Sequence, residues 1–221
     1  MAVPERRDRR ATVWDAPTRL VHWLIALLIP FSWWSAHNDH LPWHRLSGYC
    51  ILGLLVFRLI WGFIGASTSR FGEFVSGPAR VRAYLAGRLS AGVGHNPLGG
   101  WSVVAMLTAL AAQVGLGLFS IDEDSLEPGP LAALVSFDTA RAIAHIHHLM
   151  FWVVIALVVL HLGAIAFYAA RGRHLTRAMI VGRAALPPGA QAPKLAPAWR
   201  AGLVAAIAAA IACFVAHGLK L

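Results

Sequence analysis

The chain has 221 residues, of which 58% are hydrophobic and 13% charged, with a formal net charge of +9. That balance excludes an ordinary soluble domain and leaves an all-α integral membrane protein. The positive charge acts as an orientation signal and attracts anionic membrane lipid; no nucleic-acid motif interleaves with it, so no nucleic-acid partner is expected.

Five stretches, 20–36, 46–65, 97–119, 149–170 and 200–219, each come near the ~20 residues a spanning helix needs. The segment before the first carries Arg6, Arg7, Arg9, Arg10 and Arg19. This is read as a positive-inside N-terminus rather than a twin-arginine signal. The first span holds His22 and Pro30 and lacks a small-residue cleavage site, so it is read as retained rather than as a signal peptide. A short loop with His37, Asp39 and His40 leads to the second span, which opens near His44 and alone carries an internal charge, Arg58. The 66–96 loop is basic, with Arg70, Arg80, Arg82 and Arg88, and its 71–84 stretch suits a short amphipathic surface helix. After the third span, the loop from Ser120 to Ala144 is acidic, with Asp122, Glu123, Asp124, Glu127 and Asp138. It reads as a cover over the bundle mouth, a partner-docking surface or a solvated loop. A basic loop, 171–199, follows the fourth span.

The alternation of basic and acidic loops predicts a multi-pass membrane protein with its N-terminus on the cytoplasmic side and its C-terminus outside. Residues 1–185 are expected to form a four-helix transmembrane unit, 186–198 a Pro/Ala-rich cytoplasmic linker, and 199–221 a fifth, peripheral transmembrane helix. Cys50 and Cys213 are read as buried small hydrophobes. Without a C-x-x-C-H there is no c-type haem attachment.

The histidines carry the chemistry. His147 and His161 stand fourteen residues apart, which at about 100° per residue is about 1400°, roughly 40° short of four turns, so both imidazoles share a face. At about 1.5 Å per residue they are about 21 Å apart along the axis, one near each side of a hydrocarbon layer about 30 Å thick. With alternating helix directions His22 shares the inner level with His161, and His44 the outer level with His147. Each pair can supply both axial ligands of one haem iron, and bundle interiors are where such cofactors are held. The bland alternative for each is a core histidine bonded to a helix carbonyl. His145 and His148 fall about 160° and 140° off the His161 face, and are expected to face outward. His40, one turn before His44, is the rival ligand on the second helix. His95 and His174 are placed in cytoplasmic loops, where an exposed histidine needs no explanation; His217 has no partner on its face.

Arg58, fourteen residues after His44, faces the same interior one level deeper, and haem propionates are the anions expected to neutralise it. Arg19, three residues before His22, is placed similarly, with snorkelling to lipid phosphate as its alternative. Gly48 and Gly53 would let a flat macrocycle approach the backbone, although small residues also serve helix packing.

The sequence resembles the bacterial cytochrome b561 family, which includes the b-type cytochrome subunits of nickel–iron hydrogenases. The resemblance rests on Val13-Trp-Asp-Ala-Pro-Thr-Arg-Leu-Val-His-Trp23, on His44-Arg-Leu-Ser-Gly-Tyr49 and Phe57-Arg-Leu-Ile-Trp-Gly62, on Gly94-His-Asn-Pro-Leu-Gly-Gly-Trp101, on the paired histidines of the fourth helix, and on Arg177-Ala-Met-Ile-Val-Gly-Arg183. It implies two non-covalent b haems, bis-histidine ligated by His22, His44, His147 and His161. It also implies electron transfer between a redox partner, whether hydrogenase, another dehydrogenase or cytochrome c, and the quinone pool. The fifth helix departs from the family's four-helix form. Six-coordinate iron favours electron transfer over oxygen chemistry, so an electron-transfer subunit is expected rather than an independent enzyme. Two alternatives stand beside it: a superoxide:quinone oxidoreductase, which an acidic outer rim disfavours, and a haem-free transporter using histidines as proton relays.

Overall fold

A computed structural model describes residues 9–89, 92–122, 128–187 and 189–220. In chain order its regular elements are strand β1 (Arg10–Thr12), helices α1 (Ala16–His37) and α2 (Leu41–Ile64), short helices α3 (Phe71–Phe74) and α4 (Pro78–Leu85), helices α5 (Pro97–Phe119) and α6 (Phe137–Ala170), short helix α7 (Leu175–Val181), strand β2 (Arg183–Ala185) and helix α8 (Ala198–Ala216). Helices α1, α2, α5, α6 and α8 are long and apolar enough to cross a membrane. Their outward faces carry exposed Leu27, Phe63, Trp152 and Leu160, a surface that suits lipid and not water.

The α1 start explains the first sequence motif. Asp15 caps the helix by accepting the Thr18 N–H at 3.0 Å, and its other carboxylate oxygen accepts the indole N–H of Trp61 at 2.8 Å. Thr18 meets Ser69 hydroxyl to hydroxyl at 2.6 Å, and Thr68 donates to the Val13 carbonyl at 2.6 Å. Together these bonds lock the chain entry to the far turn of α2. Strands β1 and β2 pair antiparallel, Arg10 with Ala185 and Thr12 with Arg183, a small sheet that tethers the N-terminal segment to the chain just after α7. This arginine-rich end of the bundle is thus tied by hydrogen bonds.

Helix α2 is the hub. One buried cluster joins its Phe57 and Trp61 to Val21 of α1 and to Val204 and Ala208 of α8; a second joins its Ile51 and Leu55 to Leu110 and Val114 of α5. Backbones approach most closely in α1–α2, α5–α6 and α2–α8, while α6 makes no comparable approach to α1 or α2. The result is two helical hairpins, with the α6 histidine stripe facing α1 and α2 across a wider separation.

Four expectations change. The fourth span is longer than 149–170: Ser136 caps α6 by accepting the Thr139 N–H at 3.3 Å, and its 34 residues reach about 51 Å at about 1.5 Å per residue. Charged Asp138 and Arg141 fit a helix whose first turns stand beyond the hydrocarbon. Within 71–84 there are two helices, because Val75–Gly77 is extended and Pro78 starts a new one. A Cβ at Gly53 would stand 3.5 Å from the Ala212 Cβ, in ordinary contact, so this position faces α8 and not the space expected for a macrocycle. Cys50 and Cys213 are exposed, since the outside of a membrane bundle is itself an apolar environment. The chain after β2 is pinned to the bundle where the Ser67 N–H donates to the Lys194 carbonyl at 2.9 Å and the Lys194 N–H donates to the Ser67 hydroxyl at 3.1 Å.

Candidate functional site

Helix polarity brings the four histidines together in two couples. The rings of His22 and His161 lie 6.4 Å apart between centroids at the arginine-rich end, and those of His44 and His147 lie 6.1 Å apart toward the far end. Metal–imidazole bonds of about 2 Å, one to each ring, put the centroids of an axial pair about 6 Å apart. Both separations therefore fit one iron between each couple. The couples span just those helix pairs whose backbones stay apart, which leaves width for a flat ring. Beside them Gly48 has open space where a Cβ would stand.

At the far level the hydrogen bonds set which nitrogen is available. His44 Nδ1 lies 2.9 Å from the Ser32 carbonyl, with the Ser32 hydroxyl at 3.1 Å; His147 Nδ1 lies 2.9 Å from the Gln113 carbonyl. A carbonyl accepts only, so in each ring Nδ1 carries the proton and Nε2 presents the lone pair, the tautomer that metal-ligating histidines adopt when their second nitrogen is so held. The Gln113 amide sits 3.3 Å from His147 Nε2, a weak contact on that lone pair. Gly117 permits this approach, because a Cβ there would stand 3.0 Å from His147 Cε1. Ser32, Gln113 and Gly117 are supporting residues that sequence reasoning missed. The Gly-Leu-Gly of α5 was the available signal for the last.

The arginine-rich level is built otherwise. His22 Nδ1 is buried without a hydrogen-bond partner. Arg58 is 7% exposed, donates to the Ser69 carbonyl at 3.2 Å, and rests over Phe71 with Cζ 5.0 Å from the ring centroid. It is an interior cation, not one snorkelling to lipid. Arg19 donates to the Ile180 carbonyl at the end of α7, and its Nε is buried without a partner. It therefore docks α7 onto α1 while keeping a free donor.

The remaining histidines separate cleanly. His145, His148 and His174 are exposed. His40 lies against Trp34, 5.6 Å between centroids, while its rival His44 is the one that meets His147. His217 bonds back to the Cys213 carbonyl of its own helix at 2.7 Å. His95 corrects the expectation of an exposed loop residue: it packs 4.5 Å from Phe74 and 4.7 Å from Trp14 between ring centroids, and its Nδ1 is buried. Burial, with the nearby Arg58 and His161, pushes its pKa down to about 3, so it is a neutral imidazole at any physiological pH. Of the acidic loop, Asp122 and Asp138 are described; Glu123, Asp124 and Glu127 lie outside the described residues.

A family profile described as prokaryotic cytochrome b561 matches residues 13–182. No curated protein and no solved structure gave a significant match.

Proposed function

The chain belongs to the prokaryotic cytochrome b561 family, and from that premise we propose that it is a di-haem relay, carrying single electrons across the bacterial inner membrane between a redox protein and the quinone pool. The family is one of b-type membrane cytochromes, which implies haem b and membrane electron transfer. The observation that supports the finer reading is the pair of histidine couples, 6.4 Å and 6.1 Å between centroids, stacked on the one face of α6.

In this reading His22 and His161 hold the inner haem, and His44 and His147 the outer one. Arg58 neutralises an inner propionate, Arg19 supplies a second cation at the same level, and Gly48 gives room for the outer macrocycle. Haem supplies a reversible one-electron couple when bound. The protein sets its orientation and its potential. Ser32 and Gln113 carbonyls fix the outer imidazoles, so no side chain needs to rotate when charge changes. The arginine-rich end is cytoplasmic by the positive-inside rule and the C-terminus periplasmic. Residues 1–185 form the cytochrome unit, 186–198 link it, and the helix beyond is an appended packing element. The chain works as a subunit, with hydrogenase, another dehydrogenase or a cytochrome c as partner.

The test uses the full chain in proteoliposomes with a quinone in the bilayer. Quinone is expected to be reduced only when a donor protein is supplied, and reduction by a basic donor slows as salt screens the acidic outer rim. Rapid quinone reduction driven by superoxide alone, with no donor protein, would replace the relay by the superoxide:quinone oxidoreductase reading.

A further inference from the structure

We infer that His95 is a haem-binding residue of the inner site, its Nε2–H donating, beside Arg58, to a propionate carboxylate. This rests on the inner haem of the proposed function and adds a residue to it.

The local chain holds His95 in place from both sides. Gly94 takes φ +88, a backbone conformation open to glycine, and a Cβ there would press within 3.3 Å of Thr68. On the other side Asn96 caps α5, accepting the Gly99 N–H at 2.7 Å, and its amide donates to the Tyr168 hydroxyl at 2.8 Å. Between these fixed neighbours the imidazole is wedged against Trp14 and Phe74. Phe74 also bears on Arg58, whose Cζ is 6.0 Å from its centroid. The histidine and the arginine thus share one aromatic support.

The ring has unspent hydrogen-bonding capacity. Nδ1 is buried with no hydrogen-bond partner. A buried N–H without an acceptor is rarer than a buried acceptor without a donor. The proton therefore belongs on Nε2, and Nδ1 is the idle lone pair. Among the described residues Arg58 donates one hydrogen bond, to the Ser69 carbonyl, although a guanidinium has about five donors; on α1, Arg19 Nε and His22 Nδ1 are buried and unpartnered. The other charge near Arg58, Asp15, already accepts from Thr18 and Trp61. A buried guanidinium that shares its aromatic support with a histidine suits an acceptor that is both multidentate and anionic. A carboxylate meets that description, and a haem held by His22 and His161 brings one to this level.

His95→Phe keeps the ring between Trp14 and Phe74 and removes the donor; His95→Gln keeps a donor. Both are made in the full haem-loaded chain, and haem content, melting temperature and the reduction potential of each spectral component are measured. In His95→Phe both haems remain, and the inner one becomes about tenfold harder to reduce, a fall of about 59 mV for one electron. His95→Gln recovers most of that shift, and the outer haem does not move. Combined with Arg58→Leu, His95→Phe gives less than the sum of the two shifts, as expected for groups sharing one acceptor. An unchanged inner potential with both haems bound overturns the assignment and leaves His95 a packing residue, and strict additivity overturns the shared carboxylate. A shift seen only with quinone present moves the acceptor to the quinone, also against the proposal. If His95→Phe fails to fold, the redox-difference infrared spectrum of His95→Leu, which is smaller and has no donor, decides: a displaced carboxylate band supports the contact, and a band identical to wild type refutes it. A folded wild-type chain with no inner haem would fail the functional reading itself.

Discussion

At the far level both imidazoles give Nδ1–H to a backbone carbonyl, Ser32 for His44 and Gln113 for His147, whereas at the arginine-rich level His22 Nδ1 has no partner among the described residues and the buried Arg58 stands at that end. The couples are similarly spaced but differently held. The far couple is oriented by the protein before any metal arrives, while at the near couple no such carbonyl holds His22 Nδ1. Two levers then act on reduction potential in one direction. A carbonyl on Nδ1 makes the ligand more basic and favours the oxidised iron, and a nearby cation favours the added electron. The inner haem is therefore expected to have the higher potential.

The largest effect that tests this division comes from removing a ligand. His44→Ala and His147→Ala should each abolish the same spectral component, and His22→Ala and His161→Ala the other, as seen in reduced-minus-oxidised spectra. Loss of a component in His148→Ala but not in His147→Ala would put the ligand on another face of α6. Gly117→Val comes next, since its side chain would drive into the His147 ring. It should weaken haem retention at the outer level alone, by about 1–3 kcal/mol as for other overpacked sites, measured by haem transfer to an acceptor protein.

Arg58→Leu should lower the inner potential by about 59 mV or more, the tenfold equivalent for one electron, leaving the outer haem nearly unmoved in a redox titration. An equal shift in both would erase the comparison. The smallest effect is expected at Gln113→Leu. His147 is oriented by the Gln113 backbone carbonyl, which the substitution keeps, and the side-chain Oε1 is itself buried without a partner. Thermal melts should place this variant within about 0.5 kcal/mol of wild type.

The sequence made the histidine couples legible because period and span polarity are written in residue order: fourteen steps on a helix decide the face, and alternating charge decides the depth. It made the supports illegible because they depend on contacts between distant segments. Nothing in the order of residues says that the Ser32 carbonyl will receive His44 Nδ1, or that Gly117 will lie beneath His147. His95 was misplaced for a related reason. A loop position implies exposure only on average, and here a glycine turn and an Asn cap drive the ring between Trp14 and Phe74. Gly53 shows the opposite limit. Helical periodicity put it on a plausible face, but a small residue is equally fitted to a neighbouring helix, and α8, separated from it by well over half the chain, took the place.

The central claim is that each couple holds one haem, and the haem-to-polypeptide ratio of the folded, purified chain tests it most directly. A pyridine-haemochrome assay with acid-extractable cofactor should return close to two b haems per chain. A folded, haem-saturated preparation that holds one or none would contradict the account.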